Sequence, residues 1–104
     1  MMLTYEVTAD VDANIRAQYL EWLQAHVAEI LALPGFTGAD VDEVLDPDDA
    51  DRLRVCMRYR LIDADALDSY LRSHAPRLRA EGVARFGDRV RLQRRVMRPL
   101  DRFA

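Results

Sequence analysis

Between Arg52 and Ile62 the polarity of the chain changes at almost every residue. Leu53, Val55, Met57, Tyr59 and Leu61 alternate with Arg54, Cys56, Arg58 and Arg60. Successive side chains of a strand point to opposite faces, so this period of two requires a strand with one buried face and one lined by guanidinium groups. Leu3-Thr4-Tyr5-Glu6-Val7-Thr8 has the same period, and so do Val90, Leu92 and Val96 against Arg91, Gln93, Arg95 and Met97. Phe36 to Leu45 is a weaker case. Ala39, Val41 and Leu45 fall on one side, and Asp40, Asp42 and Val44 on the other. Acidic residues on an exposed strand discourage pairing with another chain, which predicts an edge position.

Between these strands the period becomes helical. From Ala13 to Leu33, the residues Ile15, Tyr19, Trp22, Leu23, Val27, Ile30 and Leu31 recur at three- and four-residue steps. Asp10 or Asp12 supplies the N-cap, and Pro34-Gly35 stops the helix. A second helix starts at Asp63 or Asp65 with Leu67, Tyr70 and Leu71 on its stripe. Pro76 breaks or restarts it near His74, and Leu78, Val83 and Phe86 continue the apolar face to Gly87. Asp46–Asp51 reads as a hairpin connection between the second and third strands, and Pro99 opens a tail. The order strand, helix, strand, strand, helix, strand predicts an α+β ferredoxin-like βαββαβ plait, a single domain over residues 1–104. Its four-stranded antiparallel sheet would run 4-1-3-2, with two helices on the face carrying Tyr5, Val7, Val55, Met57, Tyr59, Val90 and Leu92.

Half of the 104 residues are apolar, and a chain of this size buries roughly two-thirds of its unfolded surface without needing a disulfide or metal. The net charge of -3 conceals an asymmetry. Through Asp51 the chain sums to -11, and from Arg52 onward to +8, every basic residue being arginine. The plait interleaves strands from both halves, so these charges become neighbours in one sheet. The single Cys56 cannot form an internal disulfide, and no apolar run spans a bilayer or forms a signal peptide. A cytoplasmic protein with no membrane association is expected. The acidic balance, and Tyr5 and Tyr59 facing the helices, argue against nucleic acid as a partner.

The segments Tyr5-Glu6-Val7-Thr8, Gly35-Phe36-Thr37, His74-Ala75-Pro76-Arg77-Leu78-Arg79, Arg85-Phe86-Gly87-Asp88 and Arg94-Arg95-Val96, together with Trp22, resemble a bacterial family. This is the domain of unknown function 4286 family, grouped with the dimeric α+β barrels. The His-Ala-Pro-Arg and Arg-Phe-Gly segments are the most specific part of the resemblance, which covers nearly the whole chain. It implies the same fold and a homodimer made by facing sheets, and it brings no established activity. Arg58 and Arg60 make the third strand more basic than the resemblance leads one to expect.

Three candidate sites follow. The sheet face opposite the helices receives Glu6 from strand one, Arg58 and Arg60 from strand three and Arg95 from strand four. Guanidinium forks bind carboxylates bidentately, so this face is either a surface laced with ion pairs or a cleft for an anionic small molecule between two subunits. His26 lies beside the apolar stripe of the first helix, near Tyr19 and Trp22. It is either a histidine at the core margin or the base of a small cofactor-independent monooxygenase-like enzyme, which requires a cavity beside the ring. His74 stands at the helix restart, where it either terminates a helix or holds an anion with Arg77. Cys56, among arginines, is a candidate for a lowered thiol pKa. No metal-ligand spacing, phosphate loop or nucleophile elbow is present, so no metal or cofactor is expected, heme or metal binding through His26 or His74 being the weakest alternative. The reading that results is a homodimeric binding or interaction module for a small anion, with the enzyme as the alternative.

Overall fold

A computed structural model describes residues 1–46 and 51–104. Strand β1 (Leu3–Asp12) is longer than Leu3–Thr8, because Ala9 and Val11 continue the inward alternation and are completely buried. Asp12 then ends the strand. Its carboxylate accepts from the Asn14 N–H at 2.9 Å, opening a 3-10 turn at Ala13–Ile15 that leads into α1 (Arg16–Leu31). Asp10 stays in the strand and pairs with Arg52 at 2.8 Å. The reversal after α1 uses Gly35 at φ 89, a left-handed conformation open to glycine, where Ala66 also leaves no room for a side chain.

Strand β2 (Phe36–Glu43) stops two residues short of Leu45, which is exposed. Of the expected Asp46–Asp51 connection, residues 47–50 lie outside the described residues. Strand β3 (Arg52–Leu61) follows the predicted alternation, with Leu53, Val55, Met57, Tyr59 and Leu61 all buried. Burying a side chain of this kind contributes about 1.5–3 kcal/mol, which makes β3 the main apolar contributor to the sheet.

The second helical segment is two helices, α2 (Ala64–Ser73) and α3 (Ala75–Phe86), joined at His74. Asp63 caps α2 by accepting from the Ala66 N–H at 2.8 Å, while Asp65 sits in the first turn. Pro76 has no N–H to lose in the first turn of α3, so the chain restarts there at no hydrogen-bonding cost. A 3-10 turn at Gly87–Arg89 leads into β4 (Val90–Met97).

The sheet is antiparallel throughout, in the order β2-β3-β1-β4, with β1 and β3 central. This is the expected plait. Tyr5, Val7, Ala9 and Val11 join the β3 residues in one core with Tyr19, Leu23 and Ile30 of α1, Leu67 and Tyr70 of α2, and Leu78 and Phe86 of α3. The helices do not extend over β4. Val90 packs against the core, but Leu92 and Val96 are 40% and 50% exposed, against the expectation that Leu92 is covered. Val83 is also exposed rather than part of the α3 core face. No helix among the described residues is long and apolar enough to cross a membrane.

Candidate functional site

The two faces of the sheet differ in chemistry. On the open face, β1 places Glu6 opposite Arg58 of β3 and Arg95 of β4. Glu6 is only 7% exposed, and its Oε1 accepts from Arg95 Nε at 2.7 Å. Arg58 turns outward to Asp42 of β2 at 2.6 Å, and Arg60 to Asp40 at 2.7 Å. The acidic edge and the basic strand thus neutralise each other across the β2–β3 ladder. Cys56 lies in this face beside Glu6. Burial and the Glu6 charge push its thiol pKa up, more than the neighbouring Arg58 lowers it. The surrounding arginines therefore do not activate the thiol, because the negative neighbour and desolvation both favour the protonated form.

On the helix face there is a cavity of about 100 Å³ between α1, α3 and the sheet. Met57 and Tyr59 of β3 and Val7 of β1 form its floor, and Tyr19, Trp22 and His26 line it from α1. These three recur at the helical steps seen in the sequence, so one side of α1 presents all of them. The His26 and Trp22 rings stack with centroids 4.4 Å apart and planes inclined by 19°. Phe86 meets Trp22 and Tyr19 edge-on at 5.3 and 5.2 Å. Gly82 of α3 also lines the space, and its lack of a side chain leaves room beside the Trp22 ring. Leu92 and Arg94 of β4 and Arg79 and Val83 of α3 complete the lining. The uncovered stretch of β4 is what leaves this side of the cavity open.

Burial lowers the His26 pKa from its ordinary value, against a smaller opposing pull from Glu29 and Glu81. The imidazole is therefore neutral at pH 7, able to accept a proton or a hydrogen bond. Desolvation pushes Tyr19 and Tyr70 up to about 12 and raises Tyr59 further, so all three of these lining tyrosines stay neutral. The fourth tyrosine, Tyr5, accepts from Arg79 Nη2 at 3.1 Å.

His74 lies apart from the cavity lining, at the α2–α3 junction, and its side chain makes no capping hydrogen bond. Arg77 bridges Glu29 of α1 and Glu81 of α3 at 2.9 and 3.0 Å. The structure therefore brings Tyr19, Trp22 and His26 around one cavity and spreads Glu6, Arg58, Arg60 and Arg95 over the other face. Among the described residues no group of three His, Cys, Asp or Glu side chains is arranged to hold a metal ion.

The model of one protein family, described as a domain of unknown function (DUF4286), matches residues 2–100. The chain belongs to the DUF4286 family. None of the curated proteins compared with it matches. Among solved structures, Rv0793 from Mycobacterium tuberculosis is similar over 100% of both chains, at 20% identity and a TM-score of 0.72. SnoaB from Streptomyces nogalater, described as a cofactor-independent oxygenase, is 16% identical with a TM-score of 0.68, covering 97% of this chain and 95% of its own. A protein described as dimeric and ferredoxin-like, from an uncultured marine organism, is 13% identical with a TM-score of 0.60, covering 98% of each chain. At these identities the likeness establishes the fold.

In this DUF4286 chain, sequence reasoning overlooked Arg79, Gly82 and Arg94. Arg94 shares the inward parity of Val90, Leu92 and Val96, opposite Val7 of β1. Gly82 and Arg79 fall three residues apart on α3 and carry no such signature, because only the packing of α3 against Trp22 places them.

Proposed function

We propose that this DUF4286 domain is a cytoplasmic small-molecule-binding module whose ligand occupies the cavity between α1, α3 and the sheet. The observation that carries the reading is an open, aromatic-walled space between α1, α3 and the sheet with His26 in its lining. The arginines of the open face are a weaker ligand site, because an external anion would compete with Asp40, Asp42 and Glu6 for Arg60, Arg58 and Arg95. Trp22 is the only tryptophan in the chain and lines the cavity, so its fluorescence reports ligand entry directly. Titration with a panel of one- and two-ring aromatic compounds, part of which can extend out through the open β4 side, should give saturable changes in Trp22 emission. These should disappear when Gly82→Leu fills the space. A panel producing no saturable change defeats the reading.

A second reading is a cofactor-independent oxygenase-like enzyme, and the neutral His26 ring at the cavity favours it. Such an imidazole can take a proton from an acidic O–H or C–H of a bound ligand. The likeness to SnoaB fits this reading. Oxygen uptake with phenolic ligands that is lost in His26→Gln would support it, and equal uptake by both proteins would remove it.

We assign the open face to contact between two copies of the chain, an arrangement supported by the likeness to a protein described as dimeric. Sedimentation should give a dimer that Arg58→Ala or Arg95→Ala weakens. A monomer at all concentrations would refute the assignment.

A further inference from the structure

The charges around the cavity are unevenly satisfied. Eight arginines have a carboxylate partner among the described residues: Arg16, Arg52, Arg54, Arg58, Arg60, Arg72, Arg77 and Arg95. The other seven have none among the described residues, and two of these, Arg79 and Arg94, line the cavity. Arg79 donates to the Tyr5 phenol, and Arg94 makes neither an ion pair nor a hydrogen bond among the described residues. Arg94 is nevertheless close enough for its charge to act on the phenols of Tyr19 and Tyr70. On the α1–α3 side, Arg77 is committed to Glu29 and Glu81, so the spare cations of the cavity are Arg94 and Arg79. Arg94 is exposed at the open side of the cavity, where its guanidinium is within reach of an entering ligand. A guanidinium has the geometry to hold a carboxylate with two parallel hydrogen bonds.

Accepting the cavity as the ligand site, we infer that it selects a planar aromatic acid, its ring against Trp22, Tyr59 and Phe86 and its carboxylate held by Arg94 with Arg79 beside it. The Trp22 indole and the edges of Tyr59 and Phe86 suit a flat ring. The cavity lies partly out of water, so one anionic group paired to a fork is favoured where an unpaired one is excluded.

The test uses matched pairs that differ only in charge, such as 2-naphthoate with 2-naphthamide and salicylate with salicylamide, followed by Trp22 fluorescence and calorimetry on the full chain. The acid of a pair should bind at least about tenfold more tightly than its amide, the span expected for one charge-assisted contact. Arg94→Gln should abolish that preference by bringing the acid's affinity down to that of the amide, whereas Arg94→Lys should keep part of it. Arg72→Gln, on α2 and paired with Asp68, should leave it intact. If acid and amide bind wild type equally, or if Arg94→Gln retains the full preference, the charge selectivity is refuted while the cavity reading stands. If neither member of any pair saturates, both fall together.

Discussion

Replacing Gly82 with alanine should make the protein more stable, which is an unusual expectation for a residue lining a candidate site. Gly82 lies in the interior of α3, where glycine costs about 0.8–1 kcal/mol relative to alanine because its backbone loses more freedom on folding. A Cβ at this position would lie 3.6 Å from Trp22 Cη2 and 4.0 Å from Cζ2. Those are ordinary van der Waals separations, worth about 0.1–0.2 kcal/mol per atom pair, so no strain offsets the gain. The sum is a stabilisation of about 1 kcal/mol, which in a domain of this size raises the melting midpoint by about 4–8 °C. Thermal and urea unfolding followed by circular dichroism measure it. Gly82→Leu extends the same side chain into the cavity, and it should retain the fold while losing ligand binding. A neutral or destabilising Gly82→Ala would refute the argument, since it would mean that α3 and Trp22 do not approach as described. The wild-type glycine then reads as stability forgone to keep the space open.

Three further outcomes are expected. Asp63→Ala removes the hydrogen bond to the Ala66 N–H and should cost about 1 kcal/mol in urea unfolding. The His26 pKa is lower in the fold than its usual 6.5, so its contribution is complete above pH 6.5 and is lost as pH falls through the lowered value. Urea midpoints from pH 7.5 down to 5 should show this slope, and His26→Gln should flatten it. Tyr19 and Tyr70 are pushed up to about 12 from 10, so they stay protonated in the fold where the unfolded chain ionises. Their contribution is full below pH 10 and disappears as pH rises towards 12; tyrosinate absorbance at pH 11 should therefore increase sharply on adding denaturant.

Alternation alone located all four strands, because the period of two in β3 and β1 coincides with real burial on one side. Where the structure departs, the reasons are local. Strand β1 runs on through Ala9 and Val11, which a reading ending at Thr8 left out. Leu92 and Val96 are exposed because the helices cover the central strands and the β2 edge but leave β4 bare, and Val83 points away from the core on α3; the reach of a helical layer is not written in any hydrophobic pattern. The cavity was half legible. The helical spacing of Tyr19, Trp22 and His26 put them together, but the space beside them depends on how α3 approaches α1. Arg94 has the inward parity, but β4 carries arginines on both faces, and only the packing of the cavity against this strand distinguishes it from Arg91 and Arg95. The charges of the open face were read correctly in sign. Their partners depended on the register of β2 against β3, which joins Asp40 to Arg60 and Asp42 to Arg58.

The central strand β1 pairs on one side with β4, whose Val96 lies beside Tyr5 across most of the chain's length. During synthesis β1 emerges first of the elements and β4 last. Until residues 90–97 leave the ribosome, one full edge of β1 displays unpaired backbone groups next to its most buried apolar residues. The nascent chain is thus most prone to aggregate in the interval before β4 arrives. A stalled or clipped product ending before Val90 would keep that edge indefinitely and lack the rim that carries Arg94. Proteolysis between Gly87 and Val90 followed by loss of β4 would expose the same edge to intermolecular strand pairing.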